Sequence, residues 1–323
     1  MRPCFVEKLW GGSRLSTLPA KQRPGHQPPR GIAVGESWEV ADLPEGQSTV
    51  DDDLVCAAFA GTQLSAMVQR FGPSLVGTAQ VADRFPILVK LIDAAEDLSV
   101  QVHPGHVYAA AHPGTFSKDE AWLIVAVADG GRVLHGFVEG VSRAAFADAV
   151  EHRRAHELMR RVDVRPRDVL HVSPGVVHAI GAGVLVLEVQ EPSDTTFRVW
   201  DFDRTDTTGR KRALHVEQAL QVARFGPQPP VLCTPRVDGE VAVLCETRNF
   251  SMSARMVNGS VDVDLPVAPA TPLVLHAEDG PVVLVWDDIN VVVPQGGSCV
   301  LPASCGGVRF PACGRAVRLI IMQ

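Results

Sequence analysis

Short runs of apolar and β-branched residues recur along the whole chain, and turn-forming residues separate them. Such runs cover residues 85–92, 122–127, 184–189, 241–244, 281–286 and 289–293, with glycine, proline or aspartate between them. Apolar runs of this length, bounded by turn residues, are typical of buried strands rather than of helices. Many short strands of this kind predict a mainly β protein built of sandwiches or barrels.

Two segments show the spacing of helices instead. Within residues 142–162, Ser142 is a suitable N-cap, and apolar side chains from Ala145 to Val150 fall on one face. A shorter helix is predicted directly after His215, where apolar residues again recur at helical spacing. The segment 21–30 is rich in proline and charge, and it is predicted to be a surface loop.

The composition narrows the kinds of partner that the chain can bind. Of its 323 residues, 46% are hydrophobic and 21% charged, as is ordinary for globular proteins, and the net charge is −7. This net charge argues against a nucleic-acid or anionic-membrane surface, whereas a local cationic pocket can still hold a small anionic substrate. We therefore expect a small-molecule ligand, no nucleic-acid partner and no membrane partner.

Two further features predict where the protein works. The first ten residues include three charged side chains and lack the apolar core of a secretory signal, and no apolar run reaches the ~20 residues that span a bilayer. The seven cysteines form no CxxC pair and are odd in number, which indicates reduced thiols. Together these features predict a cytoplasmic protein.

Four polar residues in strand and turn segments form a candidate metal site. Gln101 and His103 are two apart in the run 98–104, so their side chains share one face of a strand. Glu120 and His178 lie in two further segments of this kind. A histidine beside a proline is often only a turn residue, but unpaired polar groups in buried strands are costly, and a shared divalent ion would remove that cost. An N,O ligand set without thiolate suits zinc, and also manganese, iron or cobalt.

Several motifs occur in the order found in one protein family. They are Trp10-Gly11-Gly12, Gly35-Glu36-Ser37-Trp38-Glu39, residues 85–93, residues 98–104, Lys118-x-Glu120-x-Trp122, Pro174-Gly175 with His178-Ala179, and residues 197–204. On these motifs the chain resembles the type I phosphomannose isomerases, which are zinc-dependent mannose-6-phosphate isomerases with a cupin fold. The resemblance covers most of the chain, and it implies that Gln101, His103, Glu120 and His178 bind one zinc ion.

The resemblance also implies two cupin-like jelly-roll modules with a small helical insertion. Residues 1–212 would form the metal-bearing catalytic module, including the predicted helical segment 142–162, and residues 213–323 a cupin-like module without a metal site. After residue 216 the only histidine is His276, which agrees with this division of roles. At the turn that precedes the motif carrying the second histidine ligand, Arg167 stands where the family usually has glycine.

Lys118, Glu188 and Arg198 are the candidate catalytic residues. Lys118 lies two residues before Glu120, hence on the same strand face, where its ammonium could stabilise an enediolate, although spacing alone also allows a solvated turn lysine. Glu188 lies in an apolar run that would raise its pKa toward the range useful for acid–base work. Arg198, ten residues after Glu188, matches the arginine that the family uses in catalysis.

Ser99, Lys90 and Arg204 match positions that the family uses near the substrate phosphate. Charged or hydroxyl side chains of this kind can donate hydrogen bonds to phosphate oxygens. Simpler roles remain open for two of them, since Lys90 can pair with Asp93 and Arg204 can cover a surface carboxylate.

The resemblance implies an isomerase that interconverts mannose 6-phosphate and fructose 6-phosphate through an enediol(ate). Isomerisation of another sugar or sugar phosphate is the nearest alternative. A cupin dioxygenase would usually carry more histidines at its metal, and a non-catalytic sugar-phosphate-binding cupin would need neither Lys118 nor Glu188. Both a monomer and a homodimer are compatible with the sequence.

Overall fold

Strands dominate the described part of the chain. A computed structural model describes residues 1–52, 57–78, 83–205, 208–238, 240–268 and 270–323. Each of the six apolar runs named above overlaps a strand. The prediction of a mainly β fold is therefore confirmed.

The strands and helices follow the chain in this order. The first half contains β1 (Cys4–Gly12), β2 (Val34–Val40), β3 (Asp42–Leu43), β4 (Gly46–Gln47), β5 (Leu88–Asp93), β6 (Val100–Val102), β7 (Glu120–Val127), β8 (Arg132–Phe137), β9 (Met159–Asp163), β10 (Val169–Val172), β11 (His178–Ile180), β12 (Val184–Gln190) and β13 (Phe197–Trp200). The second half contains β14 (Arg236–Asp238), β15 (Val241–Glu246), β16 (Ser251–Val257), β17 (Val263–Pro266), β18 (Leu273–Ala277), β19 (Val282–Trp286), β20 (Ile289–Val293), β21 (Ser298–Leu301), β22 (Gly307–Phe310) and β23 (Val317–Met322). The α-helices are α1 (Leu64–Phe71), α2 (Pro73–Val76), α3 (His106–Ala111), α4 (Arg143–Glu151) and α5 (Val216–Val222). Short 3₁₀ helices cover Arg14–Thr17, Pro19–Gln22, Ala57–Phe59, Ala155–Leu158 and Ala303–Cys305.

Two antiparallel sheets form a barrel-like sandwich in the first half. One has the strand order β1-β2-β5-β12-β7-β10 and the other the order β13-β6-β11-β8-β9. Alternation along β7 points Trp122 and Ile124 inward, where they join an apolar cluster with Trp10 of the same sheet and Val133 of the other. Polar side chains on this inward face of β7 therefore lie inside the barrel.

The second half repeats the two-sheet arrangement. Its sheets have the orders β14-β15-β16-β23-β18-β21 and β17-β22-β19-β20, and a separate apolar cluster fills the space between them. The helix predicted after His215 is confirmed as α5, which packs against β13 and β6 of the first half. The boundary between residues 212 and 213 stays a prediction.

The outward face of β7 joins the two halves. Ala121 and Leu123 belong to an apolar cluster that also contains Leu244, Phe250 and Met252 of the second half. Because side chains alternate along a strand, the residues of β7 that face the second half lie between those that face the barrel interior. The second half is thus packed directly behind the strand that carries Glu120.

The predicted helix over residues 142–162 is shorter than expected. α4 begins after Ser142, whose hydroxyl accepts a hydrogen bond from the backbone N–H of Ala145. It ends at Glu151, and Arg153 has a positive φ of 60°, which a right-handed helix cannot continue. Residues 159–163 form β9, which pairs with β8 at the edge of the sheet. A 3₁₀ helix at Ala155–Leu158 follows α4, and the helical prediction is wrong at residues 159–162 because sheet pairing overrides the local pattern there.

The segment 21–30 is not wholly a surface loop. Lys21 is 1% exposed, and its ammonium lies 2.6 Å from the Glu39 carboxylate. His26 is also buried, with its Nε2 2.9 Å from a carboxylate oxygen of Asp51. Buried charges require partners of this kind, and the partners lie too far along the chain for the sequence pattern to reveal them.

The turn before β10 has a backbone conformation that favours glycine. Arg167 has a φ of 76°, a strain of about 1–2 kcal/mol for a residue with a side chain. Its backbone N–H donates to the carbonyl of Ile124, and its guanidinium lies 3.0 Å from Asp279 in the second half. These contacts hold the turn in the expected shape although arginine replaces glycine.

The helices and the cysteines of the described ranges are further features of the fold. Every helix there falls short of the length and apolar character that crossing a bilayer requires. The six cysteines that the structure describes are free, and Cys56 lies outside the described residues.

His276 is buried in the second half without taking part in a metal cluster of the described residues. It is 2% exposed, and its Nδ1 lies 2.9 Å from the Ser298 hydroxyl. Burial, followed by repulsion from the Lys21 charge, lowers the pKa of His276 to about 3. Between about pH 6.5 and about pH 3, the unfolded chain therefore binds a proton at this side chain that the folded chain does not bind, so stability falls as the pH falls.

Replacing His276 by asparagine should flatten the pH dependence of stability. From about pH 7 to about pH 5, the free energy of unfolding should fall more steeply for the wild type than for His276→Asn, by up to about 1.4 kcal/mol per pH unit. Urea denaturation of both proteins across this range measures the two slopes. Equal slopes would mean that the pKa of His276 does not change on folding.

Candidate active site

Three residues from separate segments meet inside the first barrel. His103 directly follows β6, Glu120 begins β7 and His178 begins β11. The Nε2 atoms of His103 and His178 each lie 3.4 Å from a different carboxylate oxygen of Glu120. One potential ligand atom from each residue lies within 4.8 Å of the others, and all three side chains are buried. The structure thus brings three of the four predicted ligands together at a separation suited to one ion.

The backbone fixes the orientation of both imidazole rings. His103 Nδ1 lies 2.9 Å from the carbonyl oxygen of Thr195, and His178 Nδ1 lies 2.9 Å from that of Val176. A carbonyl oxygen only accepts hydrogen bonds, so each Nδ1 carries the proton and each Nε2 presents a lone pair to the cluster. Burial lowers the pKa of both rings, that of His178 to about 3. Neutral rings held in this way are suited to bind a metal ion.

Both carboxylate oxygens of Glu120 are buried, and neither accepts a well-aligned hydrogen bond from the described residues. The Lys118 ammonium lies 2.6 Å from Oε2 and balances its charge. Burial opposes ionisation, but the Lys118 ammonium holds the pKa of Glu120 well below its usual range. A divalent cation fits this donor set because it would satisfy the carboxylate and both imidazole lone pairs at once.

Gln101 lies beside this cluster on β6. Its Nε2 is 3.3 Å from His178 Nε2, and its Oε1 accepts a hydrogen bond from the Ser99 hydroxyl at 3.2 Å. In the sheet it is opposite His178 on one side and Arg198 on the other. A half-turn of the amide would bring its oxygen to the cluster, so Gln101 is placed where a fourth ligand would be needed.

A cavity of about 350 Å³ lies next to the cluster. Gln101 and Lys118, which contact the histidines and Glu120, form part of its wall. Most of the remaining wall is charged or polar and consists of Lys8, Glu36, Lys90, Ser99, Glu188, Asp194, Thr196, Arg198, Arg212 and His215. The volume of the cavity suits a small molecule. Five side chains of the whole wall are cationic: Lys8, Lys90, Lys118, Arg198 and Arg212.

Glu188 faces the cavity from β12. Trp122 Nε1 donates to its Oε2 at 2.9 Å, and the Lys90 ammonium lies 3.8 Å from its Oε1. Burial, followed by repulsion from Glu120, raises the pKa of Glu188 to about 7. A carboxyl group that exchanges its proton near neutral pH can serve as an acid and as a base.

Glu36 is a second carboxylate at the same wall, and it is ionised. Its oxygens lie 3.1 Å from the Lys8 ammonium and 3.8 Å from the Lys90 ammonium, and Trp38 Nε1 donates to it at 2.7 Å. Burial opposes the charge, yet Lys90 and Lys8 lower the pKa of Glu36 to about 2. Lys90 therefore lies between an ionised carboxylate and Glu188, whose pKa is raised.

The structure settles the partners of two residues that the sequence left open. Asp93 is bound by Arg14 at 2.6 Å, while the Lys90 ammonium points to the cavity wall instead. Arg204 binds the Asp201 carboxylate at 2.7 Å and a backbone carbonyl at 2.6 Å. Arg204 is thus the partner of a buried carboxylate, and it is not part of the described cavity wall.

Arg198 and Arg212 bring two guanidinium groups to the cavity. Arg198 lies on β13, and its Nε donates to the Ser99 hydroxyl at 3.3 Å. Arg212 donates from Nε to Asp201 at 2.7 Å, which leaves its position beside the cavity fixed. Ser99 and Arg198 therefore lie at one site, and Arg212 lines the cavity whereas Arg204 does not.

Several wall residues were missed from the sequence. Asp194, Arg212 and His215 lie in loops, where no periodic pattern points to a shared face. A signal did exist for Lys8, because it lies two residues before Trp10 on the same strand and alternation gives both the same face. Only folding of the loop before β13 and of the segment after it brings the others to the barrel mouth.

Comparisons with known proteins show similarity in sequence and fold to one group of enzymes. A family model described as the catalytic domain of type I phosphomannose isomerase matches residues 1–129. A mannose-6-phosphate isomerase of Streptococcus mutans is 34% identical over 268 residues, covering 80% of each chain. The crystal structure of the Bacillus subtilis mannose 6-phosphate isomerase covers 100% of both chains with a TM-score of 0.85 and 26% identity. A zinc-bound mannose 6-phosphate isomerase structure, only 18% identical, shares the fold with a TM-score of 0.74 over 99% of this chain and 98% of that one.

Proposed function

This chain belongs to the type I phosphomannose isomerases, and from that premise we propose that it interconverts mannose 6-phosphate and fructose 6-phosphate. The observation that carries the proposal is the buried cluster of His103, Glu120 and His178 beside a cation-lined cavity. Two imidazole lone pairs and an ionised carboxylate converge there next to Lys118. A binding protein would need the cavity but not this cluster.

We propose that the cluster holds one zinc ion, with Gln101 as the fourth ligand. His103 and His178 would bind through Nε2, since each Nδ1 is held by a backbone carbonyl. Glu120 would bind through its carboxylate. When bound, the ion supplies Lewis-acid chemistry by polarising the substrate carbonyl. The nitrogen and oxygen ligand set is one that zinc accepts in catalytic sites.

The isomerisation moves a proton between two adjacent carbons of the sugar. A base removes the proton from the carbon next to the carbonyl, the C–H electron pair forms the double bond of an enediolate, and the carbonyl π pair moves onto oxygen. A proton then adds to the former carbonyl carbon, and the neighbouring hydroxyl gives its proton to the former carbonyl oxygen, so the carbonyl group moves by one carbon. Negative charge develops on oxygen during this step, and the buried Lys118 ammonium beside Glu120 stabilises that charge. Glu188, with its pKa raised to about 7, can take up and return a proton at the same wall.

The cationic side chains around the cavity support an anionic substrate. Lys8 and Lys90 lie near Glu36, whereas Arg198 approaches from β13 and Arg212 from the segment after it. We propose that Ser99, Lys90 and Arg212 bind the phosphate and that Arg198 stabilises the enediolate. Arg204 would act indirectly, by fixing the carboxylate that also binds Arg212.

The proposal also includes a cellular location and an oligomeric state. The free thiols of the described cysteines support a reducing cytoplasm as the place of work. We propose a cytoplasmic enzyme that acts as a monomer or homodimer on a small phosphosugar, with neither nucleic acid nor membrane as partner.

A panel of sugars and sugar phosphates tests the proposed function. Purified protein should isomerise mannose 6-phosphate, lose this activity on chelation and regain it when zinc is added. Mannose without phosphate should react far more slowly because the cavity cations lose their partner. If another aldose phosphate reacts faster than mannose 6-phosphate, the substrate assignment is wrong while the isomerase assignment stands.

Replacing Arg198 by alanine should separate binding from chemistry. Since Arg198 is proposed to stabilise charge that develops only in the transition state, kcat should fall strongly while KM changes much less. Arg212→Ala is the matched control, because a phosphate-binding arginine should raise KM at nearly constant kcat. Steady-state kinetics of both variants distinguish transition-state stabilisation from phosphate binding. If Arg198→Ala changes only KM, Arg198 is a phosphate-binding residue instead.

A further inference from the structure

Consecutive side chains at the start of β7 face two different sides of the sheet. Lys118 and Glu120 point to the metal cluster, and Asp119, between them, points to the opposite face. That face is covered by the second half of the chain, where Phe250 is buried in the cluster that also contains Ala121. Asp119 thus connects the catalytic strand to the second half.

Asn249 is the residue of the second half that meets Asp119. It lies in the turn between β15 and β16, next to Phe250, and its backbone N–H donates to the Thr247 hydroxyl at 3.0 Å. Its Nδ2 donates to Asp119 Oδ2 at 3.2 Å, and its Oδ1 lies 3.3 Å from His106 Nε2. One amide side chain therefore joins the residue beside Glu120 to the segment that follows His103.

The remaining contacts of Asp119 leave its carboxylate in one orientation. Its other oxygen, Oδ1, lies 2.7 Å from His171 Nε2 on the neighbouring strand β10. Its backbone N–H donates to a Glu191 carboxylate oxygen at 2.9 Å, and its carbonyl accepts from the Glu191 backbone N–H at 3.1 Å. Asp119 is 6% exposed, so a lost hydrogen bond there is not readily replaced by water.

We infer that Asn249 is a positioning residue through which the second half of the chain holds Lys118 and Glu120 in place for metal binding and catalysis. The inference rests on the proposed function, since it assigns the role of Asn249 to the proposed zinc site. Movement of Asp119 would displace both neighbours along the strand, one a proposed ligand and the other the proposed electrostatic group. Residues that orient ligands in this way typically affect metal affinity or activity by about 10- to 100-fold.

Exchanging the two polar groups tests this role. Asn249→Asp places a second carboxylate against Asp119 and removes the donor, so the zinc dissociation constant should rise by about 10-fold or more, and kcat with saturating zinc should fall. Adding Asp119→Asn restores one donor and one acceptor with their positions exchanged, and the double variant should recover most of both losses.

Two further variants complete the test. Asn249→Ala, which removes the hydrogen bonds without repulsion, should give a smaller change in the same direction. Arg248→Ala, at an exposed neighbour in the same turn, is the matched control and should leave both values unchanged.

Zinc affinity of the folded proteins is measured by chelator competition, well below their melting temperatures, together with kcat and KM. A merely structural role would lower the melting temperature of Asn249→Asp while leaving zinc affinity and kcat as in the wild type, and this result would overturn the inference. Failure of Asp119→Asn to rescue Asn249→Asp would also overturn it, because the effect would then not pass through Asp119. If the wild type binds no zinc, the proposed function fails instead.

Discussion

Replacing His178 by alanine is expected to remove bound metal and to lower turnover by about 10³-fold or more, which corresponds to about 4 kcal/mol of transition-state stabilisation. His178 supplies one of the two lone pairs that converge on Glu120, and its ring is held by the Val176 carbonyl so that this lone pair faces the cluster. Elemental analysis of the purified variant and a mannose 6-phosphate assay measure the two effects.

His135→Ala is the matched control for this variant. His135 is paired with His178 in the register of β11 and β8, and both side chains are fully buried. Its Nε2 lies 3.0 Å from the His171 carbonyl, outside the metal cluster of the described residues. The control should lose a similar amount of packing yet keep its zinc. Full zinc occupancy in His178→Ala would remove His178 from the ligand set.

Lys118→Met is expected to keep both fold and zinc while losing about 10²- to 10³-fold in turnover, the scale found when one preorganised electrostatic group is removed. Methionine keeps most of the buried stem, and the ion would balance the Glu120 charge in place of the ammonium. The Lys118 ammonium lies 2.6 Å from Glu120 and 3.2 Å from His103, so its loss acts where the enediolate charge develops. Zinc content and kcat at saturating substrate are the measurements.

Lys21→Met controls for the loss of a buried ion pair as such. Lys21 also lies 2.6 Å from a glutamate, Glu39, and is 1% exposed, but it belongs to a cluster away from the cavity. Removing one partner of this buried pair should lower stability by about 3–5 kcal/mol without changing kcat of the folded enzyme. Wild-type turnover in zinc-loaded Lys118→Met would return Lys118 to a structural role.

The strand pattern accounts for most of what could be predicted about the fold. Apolar runs bounded by turn residues indicate buried strands, and β5, β7 and β12 lie close to where the sequence predicts them. The error at residues 159–162 arose because the predicted helical segment was extended past the 3₁₀ helix Ala155–Leu158. The strand β9 that follows is stabilised by pairing with β8, a contact that no local pattern contains.

The metal cluster could be predicted from the sequence because its residues lie in strands or directly beside them. Alternation predicts that Gln101 and His103 share a face, and the same rule places Lys118 with Glu120. Loop residues do not obey such a rule, so no pattern in the sequence indicates that Arg212 lines the cavity. The role of Asp119 escaped for a related reason, since its partner Asn249 lies 130 residues further along the chain.

Locating the metal directly in the active protein tests the central claim, that His103, Glu120 and His178 hold the zinc of a mannose-6-phosphate isomerase. Crystals grown from zinc-loaded protein of verified mannose 6-phosphate isomerase activity should be measured on both sides of the zinc absorption edge. The account predicts one anomalous peak per chain, bounded by the two histidine Nε2 atoms, Glu120 and Gln101. A fully active protein whose zinc peak lies elsewhere, or that shows no peak at this cluster, would contradict it.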